Sequence, residues 1–395
     1  MGCRVVRLGD VVQINASQYS AKENWDRIQY LDTGSVVRGS VSGLQQLMPS
    51  RDKVPSRAKR KVKNKSIVYS MVRPNQEHYA LLDNPPSDML VSTGFSVIDA
   101  IETIVSPGYL YYALTAVPVT ERFQALAEQC VSTYPTLSID DLRSLELKLP
   151  DLCTQKKIES LIGAFDKKAK LNARQNDYLG EITEALFKHE ILEAIDDSWS
   201  RASLLDIANY KNGLAMQKFR PEGADLGLPV LKIKELGQGY CAEDAERCRS
   251  DIDESVRVHD GDLIFSWSGT LLLNFWAGGN AGLNQHLFKV SSEKYKPWFY
   301  YLWTNYHMRK FIALAKDRAT TMGHIKRSAL AESEVYIPGE NKMVELGRLF
   351  NPLIEEMVSS KIESRKLSKL RDALLPKLMS GEVDVGMIEV PEWPI

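Results

Sequence analysis

Two long segments of the chain carry apolar residues seven positions apart. One position of this pattern holds Ile158, Phe165, Leu179 and Leu186 in the first segment, and Leu346, Leu353, Leu367 and Leu374 in the second. A seven-residue apolar repeat is typical of a helix that packs along another helix. Each segment therefore predicts a helix of about 38 residues, roughly 57 Å long at 1.5 Å per residue. We expect Pro376 to kink or end the second helix.

The apolar stripe is interrupted at the same point in both segments. The midpoint is polar in each, with Asn172, Gln175 and Asn176 in the first and Ser360, Glu363 and Ser364 in the second. A heptad helix has to bury its stripe, so we expect the two segments to form an antiparallel coiled coil whose polar midpoint sets the register. The alternative is two independent helices, each packed on its own domain. Apolar side chains at the outer ends are expected to be available to partner proteins, namely Phe187, Leu375 and Leu378.

The two helical segments belong to an internal repeat with an offset of 188 residues. The turn Leu149-Pro150 before the first segment recurs as Ile337-Pro338 before the second, and RLGDVV at 7–12 resembles SLLDIA at 203–208. Repeats of this kind indicate a duplicated architecture. We expect domains at 1–150 and 193–338, spacer helices at 151–192 and 339–382, and a C-terminal tail at 383–395 that packs near the N-terminus.

Short strand-like runs are mixed with helical runs in the two predicted domains. The strand-like runs are Ser66–Val72, Gly94–Ile101, Pro229–Ile233, Asp262–Trp267 and His286–Val290, and the helical runs are Tyr109–Val131 and Pro297–Lys316. This mixture predicts an α/β (mixed α+β) fold class. The full expectation is two pseudo-repeated domains separated by two long antiparallel coiled-coil helices, with pseudo-twofold symmetry.

Charge and cysteine content narrow the function classes. The 395 residues carry a net charge of −1, so any basic surface that binds nucleic acid must be local. The five cysteines, at 3, 130, 153, 241 and 248, form no CxxC pair, which argues against a zinc site and fits a reducing cytoplasm. No apolar run is long and uninterrupted enough to span a membrane.

One strongly basic run stands out in the first domain. Residues 51–65, RDKVPSRAKRKVKNK, hold eight Lys or Arg against one Asp. The run is either a solvated charged loop or a surface that contacts nucleic-acid phosphates, which confers affinity with little sequence information. The candidate phosphate contacts are Arg57, Lys59, Arg60, Lys61 and Lys63, with the more dispersed Lys211, Lys232, Lys234 and Lys326 in the second domain.

Reading base edges requires amide, hydroxyl and guanidinium groups on rigid loops, because these match the donor and acceptor pattern of the major groove. Taken alone, a residue of this kind is more often part of a turn or a helix cap than a reader of bases. The base-reading interpretation is favoured because the candidates recur at similar places in both halves. The candidates are Arg73, Asn75, Ser92, Thr93, Asn212, Ser266, Trp267, Ser268, Asn284, Gln285, His286, Thr320, Thr321 and His324.

Motifs that resemble catalytic signatures are incomplete. Asn84-Pro85-Pro86 resembles the signature of adenine-N6 methyltransferases, but Ser87 replaces the aromatic residue that stacks on the base, so we interpret it as a proline turn. Gly237-Gln238-Gly239 is interpreted as a loop. No phosphate-binding lysine loop or metalloprotease motif is found. The sequence therefore predicts no catalytic, metal or cofactor-binding residues, and a reader or scaffold rather than an enzyme.

Three further segments carry a family resemblance. GDLIFSWSGT (261–270), GLNQHLFKV (282–290) and LLPKLMSGEVDV (374–385) are similar to segments of type I restriction-modification specificity subunits, as are RLGDVVQI and the two turns before the helices. The resemblance implies two target-recognition domains, each reading one half of a split, asymmetric site in double-stranded DNA. It also implies that the helices measure the spacer and dock two modification (methyltransferase) subunits, with restriction/translocase subunits in the complex. S-adenosylmethionine, ATP and Mg would then belong to the partner subunits.

Two alternatives of different classes stay open at this point. One is a DNA-binding scaffold of another defence system with the same architecture. The other is a protein–protein adaptor whose domains bind no DNA. The basic run at 51–65 favours DNA binding over the adaptor.

Overall fold

The computed structural model describes residues 3–129, 134–316 and 325–387. The chain divides into two compact units. Unit 1 comprises residues 1–167 and 369–395, and unit 2 comprises residues 168–368. None of the helices in the described residues has the length and apolar content needed to cross a membrane.

Unit 1 is built from short strands and five helices that begin in it. Its strands are β1 (Arg4–Arg7), β2 (Val12–Ile14), β3 (Ile28–Leu31), β4 (Val36–Val37), β5 (Ser40–Val41), β6 (Gln45–Leu47), β7 (Ala58–Lys61), β8 (Ile67–Ser70), β9 (Tyr79–Leu81), β10 (Met89–Ser92), β11 (Phe95–Ala100) and β12 (Glu146–Leu149). Its helices are α1 (Leu8–Val11), α2 (Pro107–Leu114), α3 (Val117–Glu128), α4 (Ile139–Arg143) and α5 (Leu152–Glu190), the last of which ends in unit 2.

Unit 2 has a similar succession of elements. Its strands are β13 (Ser200–Ser203), β14 (Asn209–Asn212), β15 (Leu228–Leu231), β16 (Arg247–Cys248), β17 (Arg257–Val258), β18 (Leu263–Ser266), β19 (Leu273–Phe275), β20 (Ala281–Leu283), β21 (Leu287–Ser291) and β22 (Glu334–Ile337). Its helices are α6 (Leu204–Ile207), α7 (Ile233–Gln238), α8 (Pro297–Lys316), α9 (Arg327–Ala331) and α10 (Glu340–Ser380), the last of which ends in unit 1.

The strand order is the same in the two units. Unit 1 has sheets β6-β3-β10-β7 and β2-β11-β8-β9 with the pair β1-β12, and unit 2 has β16-β15-β20-β17 and β14-β21-β18-β19 with the pair β13-β22. The parallel pairing also recurs, since β10 runs parallel to β3 and β20 parallel to β15. The predicted fold class, a duplicated mixed α and β architecture, is confirmed.

Two local predictions were wrong for identifiable reasons. The helix predicted over Tyr109–Val131 is two helices, because α2 ends at Leu114 and Pro118 in the first turn of α3 has no amide hydrogen to continue it. Gly237-Gln238-Gly239 is not a loop throughout, since α7 runs to Gln238 and Gly239 ends it with a left-handed φ of 83°. The helix predicted over Pro297–Lys316 matches α8.

The two long helices pack antiparallel within unit 2, as predicted. The Asn172 side-chain amide donates to Glu363 Oε2 at 2.7 Å and to the backbone oxygen of Ser360 at 3.3 Å. Towards the end of α5, Glu190 pairs with Lys342 Nζ at 3.4 Å. Residue numbers thus rise along α5 as they fall along α10, and the alternative of two independent helices is wrong.

The polar midpoint is buried between the helices. Asn172 is 1% exposed and Ser360 3% exposed. Asn172 also donates to Ser364 Oγ at 3.2 Å. The hydrogen bond from Asn172, together with Lys168 Nζ 3.3 Å away, holds the pKa of the Glu363 carboxyl below its usual value. A buried amide whose hydrogen bonds are made to the opposite helix favours one alignment of the two helices.

The expectation of uncovered apolar residues at the outer ends was wrong. Phe187 is 4% exposed and packs edge-on against Trp303 with ring centres 5.3 Å apart. Leu375 and Leu378 are buried in the core of unit 1. Pro376 does not end α10, which continues to Ser380. The core side chains of each unit therefore cover these ends of the helices.

The polar midpoint can be tested by removing its donor. We expect Asn172→Ala to lower the free energy of unfolding by about 1–3 kcal/mol, because Ser360, Glu363 and Ser364 on α10 lose the donor that is buried between the helices. Gln175→Ala is the matched control, since the bond from Gln175 to Glu356 Oε1 (2.8 Å) lies at the surface. We expect the control to stay within about 0.5 kcal/mol in urea unfolding. Equal losses in the two variants would contradict the proposed role of Asn172.

Candidate nucleic-acid interface

One loop occupies the same place in the two units: the turn from β10 to β11 in unit 1 and from β20 to β21 in unit 2. The backbone N–H of Met71 donates to the oxygen of Gly94 at 3.1 Å, and that of Trp267 donates to the oxygen of His286 at 3.4 Å. Each bond joins the loop to the residue that follows β8 or β18. The candidate base readers of both halves therefore stand on equivalent, hydrogen-bonded backbone.

A serine hydroxyl at the end of β8, and another at the end of β18, stabilises an equivalent turn in each unit. Ser70 Oγ donates to the backbone oxygen of Val72 at 3.0 Å, and Ser266 Oγ donates to that of Ser268 at 3.1 Å. Both Ser70 and Ser266 are buried. Ser266, a predicted reader, thus lies inside the turn and shapes the loop.

Five predicted residues come together in unit 2, and we refer to them as the loop surface: Asn212, Trp267, Ser268, Gln285 and His286. The indole Nε1 of Trp267 donates to Asn212 Oδ1 at 3.1 Å. Ser268 Oγ lies 3.0 Å from His286 Nδ1, and Gln285 Nε2 lies 3.4 Å from His286 Nε2. Asn212 is exposed, and Gln285 and His286 are half-buried. The sequence singled out each of these residues, and the strand order brings them together.

A cleft of 340 Å³ lies beside the loop surface, and its lining includes Lys232, Lys234, Glu246 and Gln285. Lys232 Nζ pairs with Glu246 at 2.6 Å, whereas exposed Lys234 forms no ion pair with a described residue. Gln217 also lines the cleft. Sequence reasoning missed Gln217 and Glu246, because neither belongs to a periodic pattern or a basic cluster.

The backbone under the cleft is held closely together. Asn284 is buried, its N–H donates to the oxygen of Leu231 at 3.1 Å, and its Oδ1 accepts from the His286 N–H at 3.2 Å. Gly213 lies against the same loop, where a Cβ would come within 2.3 Å of the Asn284 backbone oxygen. Glycine is therefore required at this approach of β14 to the loop, and the side chain of Asn284 orders the turn.

In unit 1 the basic run forms the edge strand β7 beside β10. Arg57 and Lys59 are exposed and form no ion pair with a described residue. The backbone oxygen of Arg57 accepts from the Thr93 N–H at 2.9 Å, which places Arg57 at the β10–β11 loop. These two cations of the run and the exposed Thr93 of the loop face solvent side by side.

The three other candidate cations of the run, Arg60, Lys61 and Lys63, are partly compensated or buried. Lys61 pairs with Glu23, and Lys63 lies 3.8 Å from Asp99. Burial lowers the pKa of the Arg60 guanidinium, and its Nε and Nη1 find no hydrogen-bond partner among the described residues. The run is thus neither a uniform phosphate surface nor a simple solvated loop.

The other predicted residues of unit 1 divide between surface and interior. Arg73 is exposed, has a left-handed φ of 49°, and holds its guanidinium 4.9 Å from the centre of the Tyr134 ring. Asn75 is exposed, and its backbone N–H donates to Gln124 Oε1 at 3.1 Å. Ser92 is buried, and its Oγ accepts from the Gly94 N–H at 3.2 Å.

The last candidates lie at the margin of the loop surface. Lys211 is exposed on β14 next to Asn212. The Ile325 N–H donates to the oxygen of Trp267 at 3.0 Å, which brings the neighbouring, exposed Lys326 to this side of unit 2. Three predicted readers lie outside the described residues, namely Thr320, Thr321 and His324.

No arrangement suited to metal binding occurs among residues 3–129, 134–316 and 325–387. Four cysteines are free thiols, namely Cys3, Cys153, Cys241 and Cys248, and burial raises the pKa of Cys241 to about 12. The site therefore offers amides, an imidazole, an indole and cations on rigid strand ends. Such groups recognise base edges and phosphates by hydrogen bonding and charge.

Comparisons with known proteins agree with this architecture. Residues 2–180 match the family model described as the type I restriction modification DNA specificity domain. The HindI specificity subunit of Haemophilus influenzae is 22% identical over 95% of this chain and 98% of its own length. The MjaIX specificity subunit of Methanocaldococcus jannaschii is 25% identical over 78% of this chain and 75% of its own length.

A solved structure shares the fold. The S subunit of a type I restriction-modification system from M. genitalium superposes with a TM-score of 0.54 at 16% identity, over 96% of each chain. The chain is therefore similar to type I restriction-modification specificity subunits, by the family model over residues 2–180 and by the two relatives.

Proposed function

We propose that the chain is the sequence-reading, non-catalytic subunit of a type I restriction-modification complex, with each unit reading one half of a two-part DNA site. One observation carries the proposal. The β10–β11 and β20–β21 loops share one equivalent backbone hydrogen bond, which joins each loop to the residue after β8 or β18. Their side chains differ, with Ser92-Thr93 in one and Asn284-Gln285-His286 in the other. A conserved scaffold with different polar groups is what two readers of different base sequences require.

Within this proposal the DNA is contacted by the exposed and half-buried polar side chains at the loops. Gln285 and His286 present hydrogen-bonding groups next to Asn212, and Thr93 and Arg73 do so in unit 1. Buried Ser92, Ser266 and Asn284 would act by shaping their turns. The uncompensated cations would hold the phosphates, which position the protein without reading sequence.

The partners and cofactors follow from the same role. We propose that two modification subunits and restriction/translocase subunits bind this chain and that S-adenosylmethionine, ATP and Mg are bound by those subunits. Ile182 on α5 is 48% exposed and Leu370 on α10 is 52% exposed, and the two positions are equivalent in the internal repeat. Equivalent exposed apolar residues favour two copies of one partner. The free thiols fit the cytoplasm as the site of assembly.

The phosphate contacts can be tested with a charge-matched pair of double variants. Arg57→Ala with Lys59→Ala should weaken binding to every DNA duplex and reduce the slope of log K against log salt by about 2, because each lost phosphate contact removes roughly 0.9. The control is Arg4→Ala with Lys148→Ala, which removes the same charge from the exposed faces of β1 and β12. Affinity would be measured by fluorescence anisotropy over a salt series. An unchanged slope in the first variant, or an equal change in the control, would refute these contacts.

The docking residues can be tested in the assembled complex. Ile182→Asp and Leu370→Asp should each release one modification subunit, because a charge replaces an apolar contact at one of two equivalent positions. The double variant should release both subunits, as measured by the mass of the co-purified complex. Ser359→Asp, at an exposed polar position of α10, is the control. Full retention of both subunits by the double variant would contradict docking at these residues.

A further inference from the structure

Unit 2 contains a groove of 590 Å³ between the start of α8 and the first turns of α10. Its walls include the rings of Tyr295 and Trp298, and its rim carries the cations Lys294, Lys296 and Arg348. The three cations are exposed, no ion pair joins them to a described residue, and no carboxylate lines the groove. The groove is therefore aromatic within, positively charged at its rim, and lacks a counter-charge of its own.

The indole N–H of a buried tryptophan opens onto this groove. Trp298 is 2% exposed and stacks on Phe350 with ring centres 5.2 Å apart. Its indole Nε1 forms no hydrogen bond with the part of the chain that the structure describes. A Cβ built on Gly347 would lie 3.7 Å from this nitrogen, so the missing side chain at Gly347 leaves the donor open to the groove. An indole N–H is a hydrogen-bond donor only, so an acceptor that enters the groove can bind to it.

Unit 1 shows what occupies the equivalent place. Gly108 in α2 and Trp298 in α8 both follow the proline that begins the helix, and Glu159 and Gly347 correspond by the 188-residue offset of the repeat. The Glu159 carboxylate covers Gly108, where a Cβ would come within 2.4 Å of it, and accepts a hydrogen bond from Ser106 Oγ. In unit 1 a carboxylate thus occupies the space where a side chain at position 108 would begin, whereas in unit 2 the Trp298 side chain begins there and its Nε1 lies beside Gly347.

We propose that this groove binds an acidic segment of another protein chain. An Asp or Glu side chain of the partner accepts from Trp298 Nε1 between Lys296 and Arg348, and a neighbouring apolar side chain contacts the Tyr295 wall. Charged acceptors form the stronger hydrogen bonds, and the amino-terminal end of the 20-residue helix α8 adds a favourable field for an anion. The aromatic and apolar lining, which also contains Met343, favours a peptide over a DNA phosphate, whose contacts need no such walls.

The test uses the full chain labelled with ¹⁵N at its tryptophan indoles, with Trp298→Phe to assign the Trp298 signal. The probe is the peptide acetyl-Glu-Leu-Glu-amide. We expect the peptide to cause a saturable shift of the Trp298 indole signal. In Lys296→Glu and in Arg348→Glu the dissociation constant of the peptide should be at least tenfold larger. Gly347→Glu introduces a carboxylate beside Trp298 Nε1, at the position that Glu159 holds in unit 1. It should therefore shift the Trp298 signal without peptide and abolish the response to the peptide. Ser359→Glu, which adds the same charge elsewhere on α10, should respond like the unaltered chain.

Three outcomes would overturn the proposal. The first is no saturable shift of the Trp298 signal. The second is an equal loss of response in Gly347→Glu and Ser359→Glu. The third is a shift produced by a short DNA duplex and not by the peptide. The other indole signals report whether each variant is folded, and exposed Arg348→Glu carries the test should Gly347→Glu not fold.

Discussion

The buried hydrogen bonds of Asn172 constrain the helix pair on which both units are built. A side-chain amide removed from water costs free energy unless it is hydrogen-bonded, and here its acceptors on Ser360 and Glu363 belong to the other helix. Sliding one helix along the other would place the amide against the apolar residues that flank this point. The apolar stripe supplies the affinity between the helices, and the polar midpoint selects one antiparallel alignment.

The sheets show a similar division between scaffold and specificity. The same main-chain bonds recur in the two units, from Met71 to Gly94 and from Trp267 to His286, although the side chains in the loops differ. Backbone hydrogen bonding and strand order do not depend on which polar side chain points outward from a loop. A loop held in this way can change the groups it presents without loss of the fold, which suits a protein whose two halves serve different targets.

The local sequence pattern predicted the helices well, but it predicted the burial and the contacts of individual side chains poorly. The heptads located α5 and α10, and α8 matched its predicted range, because periodicity depends on residues near in sequence. The break between α2 and α3 was missed although Pro118 was visible in the sequence. The covering of Phe187 depends on Trp303, which is far away in the chain and reaches it only through tertiary packing.

The candidate site shows the same limit. Lys61 pairs with Glu23, and Lys63 lies near Asp99. The basic run alone does not predict these partners, because they are far from it in the sequence. Ser92 and Ser266 were selected for their hydroxyls, but the turns direct these side chains inward. In contrast, the clustering of Trp267 with His286 follows from two segments that the sequence had already singled out.

The central claim, that each unit reads its own half of one DNA site, is tested most directly by mapping adenine methylation in a host that carries this chain and its partner subunits. The unaltered chain should produce methylation at a two-part motif. With Gln285→Ala, the account predicts relaxed specificity in one half of the motif and no change in the other half. A single uninterrupted motif, or a change in both halves, would contradict it.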